Sequence, residues 1–289
     1  MSDSSVKEQV RQFYDQIGWQ TVSDGTYQNA RYEDLRPVAR EYIHRCHMRV
    51  KQALAPSGRL LLDAGSGPIQ YPEYLTYSQG YQQRVCLDIS IVALEEARKR
   101  IGDHGLFVVA DVANLPFRAD AFDGLVSLHT LHHLPGADQE KAYNELFRVL
   151  APGRCGVVVN GWTDSPLMRR SLPLIKLFER LAKRFSRQKV EAPAQKPVVE
   201  TQKSAAKSVA TGTYIQKLDA AWLRKMLGGR IPFEIRVWRS VSVRFLRALI
   251  HAPLAGRLWL RLLFWLEERF PAWFGERGQY PLVIITKRG

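Results

Sequence analysis

Cysteine is scarce in these 289 residues: Cys46, Cys86 and Cys155 are scattered, odd in number, and fall in segments patterned as helix or strand. That argues against a disulfide framework and fits a reducing compartment. No run of 18 or more uninterrupted apolar residues occurs, so no membrane span is expected. The opening residues Met1-Ser2-Asp3-Ser4-Ser5 are polar, with no signal-type apolar region after them. A cytoplasmic protein is the expectation. Metal-ligand clusters are missing too. His44 and His47 are helix neighbours at i, i+3, but no second cluster accompanies them, so they read as helix-surface residues and no metal is expected. Finally, acid is short in one half of the chain. Residues 1–160 hold 17 Lys/Arg against 19 Asp/Glu, a net of −2, whereas residues 161–289 hold 25 against 9, a net of +16. Such asymmetry speaks of partners rather than fold, and the basic half is expected to meet something anionic.

What is present is ample apolar content, 46%, enough for a core. The most telling stretch is Leu60-Leu61-Leu62-Asp63-Ala64-Gly65-Ser66-Gly67-Pro68. A short apolar run bounded by turn residues reads as a buried parallel strand. Gly65 and Gly67 let the backbone turn tightly and approach a ligand. A dinucleotide fingerprint would place its acid roughly 20 residues further on. Here Asp63 precedes the first glycine, and Gln70 stands where the third would be. An acid in the loop repels a pyrophosphate and suits a cationic ligand.

Two more apolar runs end in acids. Arg84-Val85-Cys86-Leu87-Asp88 places Asp88 25 residues after Asp63, and Leu106-Phe107-Val108-Val109-Ala110-Asp111-Val112 follows. In open α/β sheets ligands bind outside the carboxyl ends of the strands, so the three acids should converge on one crevice. With Phe122 to His129 as a fourth strand and Glu145 to Arg154 as the helix and turn before a fifth, the pattern resembles the class I S-adenosylmethionine-dependent methyltransferases, in particular the type 11, ubiquinone-menaquinone-biosynthesis-like group. That resemblance implies an α/β, Rossmann-like, seven-stranded mostly parallel sheet with helices on both faces. It implies S-adenosylmethionine as cofactor, held by Asp63, Gly65, Ser66, Gly67, Asp88, Ile89, Asp111, Val112 and His129. Asp88 would take the ribose hydroxyls, Asp111 the adenine amino group, and the amide of Val112 a ring nitrogen. Tyr14 and Trp19 would fold over the site, or else simply pack the N-terminal helix. One departure stands out: Ile69 occupies the place of the family's third glycine, implying a bulkier floor under the methionine end of the cofactor.

The expected organisation is an N-terminal helical cap over 1–55, a cofactor-binding core over 56–162, a basic amphipathic helix over 163–187, a flexible linker or lid over 188–212, and the rest of the sheet over 213–289. Within the cap, helices are expected over 5–17 and 37–54. In the basic helix Leu174, Ile175, Phe178, Leu181 and Phe185 would form one apolar stripe, with Lys176, Arg180, Lys183, Arg184 and Arg187 around it and Pro173 near its start. A strand is expected near Pro232 to Val243 and a last one at Pro281 to Thr286. Between these lies an apolar helical insertion, 244–280, with Arg257, Arg261 and Glu268 on its polar side. A connection this long and apolar is more than a loop.

Methyl transfer to a hydroxyl needs a base, and His132 or His133 after the fourth strand are the candidates. The strand ends in Ser-Leu-His rather than the Asn/Asp-Pro-Pro-aromatic signature of amide methylation, and no Pro-Cys pair offers the nucleophile of C5-cytosine methylation. The leading expectation is methylation of a small amphiphilic or lipid-like acceptor, with the basic, apolar segments docking on an anionic membrane surface. RNA methylation and a non-catalytic protein binding a partner through the insertion are the alternatives.

Overall fold

The computed structural model describes residues 3–15, 19, 33–188 and 214–289. In chain order its elements are α1 (Asp3–Phe13), α2 (Arg40–Ala53), β1 (Gly58–Ala64), α3 (Pro72–Leu75), β2 (Tyr81–Asp88), α4 (Ile91–Ile101), β3 (Gly105–Val109), β4 (Gly124–Leu128), α5 (Gly136–Val149) and β5 (Cys155–Val159). There follow α6 (Pro166–Gln188), α7 (Ala220–Leu227), β6 (Phe233–Arg239), α8 (Val243–Leu249), α9 (Gly256–Arg269), α10 (Pro271–Arg277) and β7 (Tyr280–Thr286). The seven strands form one sheet in the order β3-β2-β1-β4-β5-β7-β6. The first five are parallel, and β7 runs antiparallel between β5 and β6.

Alternation along the strands builds a core on each face. Leu62, Val85, Leu125 and Val158 pack with Leu146 of α5 and Leu223 of α7. Leu61, Cys86, Val126 and Val157 face the other way, toward Val50 of α2, Tyr77 and Trp238. A third cluster joins Tyr42 and Cys46 of α2 to Leu246, Leu260 and Phe264 of the insertion. α4 starts at Ser90, whose Oγ accepts from the Ala93 amide at 3.1 Å.

Several boundaries differ from the sequence pattern. β3 stops at Val109, so Asp111 stands in the turn beyond the strand. β6 stops at Arg239 because the next residues are claimed elsewhere: the Ser240 amide and hydroxyl both bond Glu267, and Ser242 caps α8. α6 begins at Pro166, where the Ser165 hydroxyl accepts from the Met168 amide at 3.2 Å; Pro173 therefore lies inside the helix, not near its start. Its apolar positions divide between core and solvent. Ile175 is buried, while Leu174, Leu177 and Leu181 are exposed. His47 is no surface residue: it is buried and stacked on Trp238 at 5.4 Å, whereas His44 is exposed and bonded to Glu73. The linker expected over 188–212 lies, beyond Gln188, outside the described residues. Among the described residues no helix is long and apolar enough to cross a membrane.

Candidate active site

The carboxyl ends of β1, β2 and β4 open onto a cavity of about 380 Å³, within the ~300–1,000 Å³ usual for small-molecule sites. Its first wall is the turn after β1. The Gly65 and Ser66 amides both donate to the Leu87 carbonyl, at 2.7 and 3.1 Å, and the Gly67 amide donates to Asp88 Oδ2 at 2.9 Å. The turn is thus stitched to the end of β2. Gly65 has φ of +77°, and a Cβ there would sit 2.2 Å from the Thr130 side chain. Gly65→Ala is therefore expected to lower the melting temperature and weaken ligand binding at this turn together. Thermal melts with and without S-adenosylmethionine check it, and an unchanged pair of curves would refute the close-packing argument.

Asp88 is the end residue of β2. Its other oxygen accepts the Ser90 amide at 2.9 Å. Burial raises its pKa to about 6, against the pull of the Ser90, Gly67 and Ile89 amides. Asp63 has a different fate. It is buried beside an equally buried Arg84, whose Nε donates to it at 3.1 Å, while Arg84 also bonds the Tyr74 carbonyl. Asp63, inside β1 rather than in the loop, therefore has its charge compensated by a residue of β2. Asp111 accepts from Lys7 at 2.6 Å, from Asn114 at 2.9 Å and from the Ala113 amide at 2.9 Å. Lys7 also reaches Asp138 at 2.6 Å. Burial opposes the charges on both, yet the contacts win: Lys7 is held above and Asp111 below its ordinary value.

Ile69 does not floor the cavity. It adopts φ of +55°, the left-handed conformation a glycine would take, and turns its fully buried side chain into the core beside Tyr74 and Tyr77. The burial of an isoleucine, worth about 1.5–3 kcal/mol, offsets the backbone strain.

Every other sequence-predicted site residue except Gly67 lines this cavity: Asp63, Gly65, Ser66, Asp88, Ile89, Asp111, Val112, His129, His132, His133, Tyr14 and Trp19. Gly67 lies beneath the Trp19 ring, 3.0 Å from where its Cβ would be. Tyr14 stacks on Trp19 at 5.1 Å between ring centres. His133 Nδ1 contacts the Tyr214 carbonyl at 2.8 Å, so that nitrogen carries the proton. Its Nε2 then accepts from the Tyr14 hydroxyl at 2.8 Å. His132 Nδ1 contacts Asn160 Oδ1 at 3.2 Å and donates to it, which puts the ring's lone pair on Nε2. Burial lowers both pKa values, His133 to about 4 and His132 well below the ordinary value, so both rings are neutral near pH 7. His129, at φ of +56°, lies edge-on to Trp238 and Tyr280 at 5.0 and 5.6 Å and is pushed down to about 3, by burial first and by Arg239 second.

The pattern in the sequence did not reveal the far end of the cavity. Arg239, at the end of β6, and Glu33 form a buried ion pair there, and Lys217 lines the wall near Gly161. Arg239 and His47 hold Glu33 down to about 2 despite its burial. Residues 214–218 cross the two histidines as a strap: the Gln216 amide donates to the His132 carbonyl at 2.7 Å, and the Gln139 side chain donates to the Gln216 carbonyl at 2.6 Å.

Residues 62–157 match the family described as the methyltransferase domain. The chain carries a class I S-adenosylmethionine-dependent methyltransferase domain. A tRNA (carboxymethyluridine(34)-5-O)-methyltransferase from Arabidopsis thaliana is 34% identical over 125 residues, 41% of this chain and 29% of that protein. The ubiquinone/menaquinone biosynthesis C-methyltransferase UbiE of Vibrio parahaemolyticus is 30% identical over 132 residues, 43% of this chain and 50% of that protein. The chain thus spans half or less of the length of these relatives. In fold it is similar to phosphoethanolamine N-methyltransferase 1 of Haemonchus contortus, with a TM-score of 0.57 at 11% identity, over 99% of this chain and 50% of that one. The methyltransferase domain takes S-adenosylmethionine as its cofactor, and the matched span holds Asp63, Asp88, Asp111 and the three histidines of the cavity.

Proposed function

We propose that this protein transfers the methyl group of S-adenosylmethionine to a hydroxyl of a small amphiphilic or lipid-like acceptor, with His132 as the base. The supporting observation is that Asp63, Asp88, Asp111 and His132 line one cavity. The residues fit the cofactor. Gly65 and Gly67 make a cradle that side chains would fill, and each Asp88 oxygen, having accepted one amide, keeps a lone pair for a ribose hydroxyl. When bound, the cofactor supplies a methyl group already activated by its positive sulfur. The chain's own work is to hold and align the reactants, cover them with Tyr14 and Trp19, and take up the acceptor's proton. His132 suits that last role because its Nε2 carries a lone pair, whereas both nitrogens of His133 are engaged.

His132→Asn is expected to reduce turnover about 10²–10⁴-fold while leaving the cofactor's Kd within twofold. S-adenosylhomocysteine release, measured with lipid extract of producing cells as acceptor, checks it. Full turnover by His132→Asn would remove this base assignment.

For a lipid-like acceptor we propose a peripheral position on an anionic, cytoplasm-facing membrane surface. α9 buries Leu260 and Phe264 but exposes Leu258, Trp259, Leu262 and Trp265, with Phe270 and Trp273 following. Trp259 and Trp265 are 60% and 59% exposed, a large apolar face among Arg257, Arg261 and Arg269. Aromatic and leucine side chains ringed by arginine suit an anionic lipid interface. Vesicles containing phosphatidylglycerol should float the protein, neutral vesicles far less, and Trp259→Glu with Trp265→Glu should abolish flotation. Flotation unchanged by the double variant would refute this face. RNA is the second reading, supported by the name of the Arabidopsis thaliana relative and by the +16 charge of residues 161–289. Salt-dependent RNA binding without flotation would favour it.

A further inference from the structure

The cavity is electrically polarised. Asp88 lies at the cofactor end, whereas the far end holds Lys217 and the buried Arg239–Glu33 pair. Glu33 is committed to Arg239, and its backbone carbonyl accepts from Arg247 at 2.9 Å. Lys217 has no carboxylate within ion-pair distance among the described residues. It is half-buried on a segment with fixed backbone: the Gln216 amide before it bonds the His132 carbonyl, and the Leu218 carbonyl after it accepts the Thr163 amide at 3.0 Å. Alternation along this extended segment places Ile215 and Lys217 in the same wall. Two buried donors line the same cavity. Arg239 Nε and Gln70 Nε2 have no partner among the described residues, and both side chains line the cavity. Arg239 is 2% exposed and lies over the Tyr280 ring at 4.6 Å, so it cannot swing out to water.

A buried N–H without a partner costs about 1–3 kcal/mol, and a lysine without a counter-charge adds to that cost. The two together mark a place that an acceptor-rich anion completes. A cationic substrate group would be repelled by Lys217, and a neutral alkyl group would leave the donors unsatisfied. Resting on the methyltransferase reading, we infer that the methyl acceptor carries a carboxylate or phosphate, seated against Lys217 and the unpartnered donors of this cavity while the methylated atom faces His132.

The test uses the full chain loaded with S-adenosylhomocysteine. Calorimetric titrations with hexyl phosphate, hexanoate, inorganic phosphate, hexanol and hexyltrimethylammonium report the preference. At least one of the three anions should bind tenfold or more tighter than hexanol and hexyltrimethylammonium. Inorganic phosphate matching hexyl phosphate would identify a free phosphate group as sufficient; hexyl phosphate alone would identify an alkylated headgroup. Lys217→Met should weaken the anion tenfold or more and Lys217→Arg restore most of it, with the Kd for S-adenosylmethionine within twofold of wild type in both. Equal binding of hexanol, an unaffected Lys217→Met variant, or an equal loss of S-adenosylmethionine affinity in that variant would overturn the inference. Failure of the wild type to bind S-adenosylmethionine would instead remove the methyltransferase reading itself.

Discussion

Asp88→Ala should weaken S-adenosylmethionine by at least about 100-fold, the loss expected when two hydroxyls forfeit a charged acceptor at ~1.5–3 kcal/mol each. The substitution also frees the Gly67 and Ser90 amides, which the carboxylate now orders at 2.9 Å each. Asp88→Asn separates the two effects, since its one carbonyl oxygen still accepts an amide but carries no charge. A pH series gives an independent check. Burial puts the Asp88 pKa at about 6, above the ordinary aspartate value. The carboxylate is the form that accepts from two hydroxyls, so affinity should be flat above about pH 7 and fall below pH 6, approaching tenfold per pH unit. The sign for folding is opposite. A raised carboxyl pKa means that the native protein holds the extra proton between the ordinary value and about 6, so this group's contribution to stability declines as pH rises through that window and is smaller at pH 7 than at pH 4. Calorimetric Kd values from pH 5 to 8 test the first trend, and urea midpoints of the unliganded protein the second. A Kd for Asp88→Ala within threefold of wild type would remove Asp88 from the cofactor's site.

The acids were legible because parallel strands end on one edge of the sheet, so an apolar run closing on Asp63 or Asp88 declares both its strand and its destination. What the pattern could not carry was their company. Arg84 stands at the start of the apolar run that ends in Asp88, and only the register between β1 and β2 brings it to Asp63. Lys7 reaches Asp111 across 104 residues, and Arg239 reaches Glu33 across 206. Such pairs leave no local period. Ile69 shows the limit differently: a missing glycine suggested a bulkier floor under the cofactor, yet the backbone kept the glycine's left-handed turn and sent the side chain inward. In the insertion, the abundance of leucine and tryptophan was plain, but the division of α9 into a packed and an exposed face depends on where α2 lies. The same holds for its charges. Arg261 pairs with Glu41, and Glu268 with Arg49, so the polar side serves α2 rather than itself.

That attachment leads to a large expected effect on stability. Glu267 of α9 is fully buried and accepts from Tyr42 at 2.7 Å, from Arg49 at 2.9 Å, from the Ser240 amide at 3.0 Å and from the Ser240 hydroxyl. One carboxylate thereby ties the insertion to α2 and to the end of β6. Arg49 is itself almost wholly buried, with its guanidinium over the Phe264 ring at 4.2 Å. Removing one member of such a pair leaves the other charged and desolvated, which costs about 3–5 kcal/mol. Glu267→Ala should therefore lower the unfolding free energy by about that amount, whereas Glu41→Ala, breaking the exposed pair with Arg261, should cost under about 1 kcal/mol. Urea unfolding of the two variants measures both. Because Glu267 is remote from Asp88 and His132 in the hydrogen-bond network, Glu267→Ala protein that remains folded at low temperature should bind S-adenosylmethionine normally and lose vesicle flotation first. A loss of cofactor binding in step with flotation would show instead that α2, the insertion and the cofactor's loop unfold as one cooperative unit.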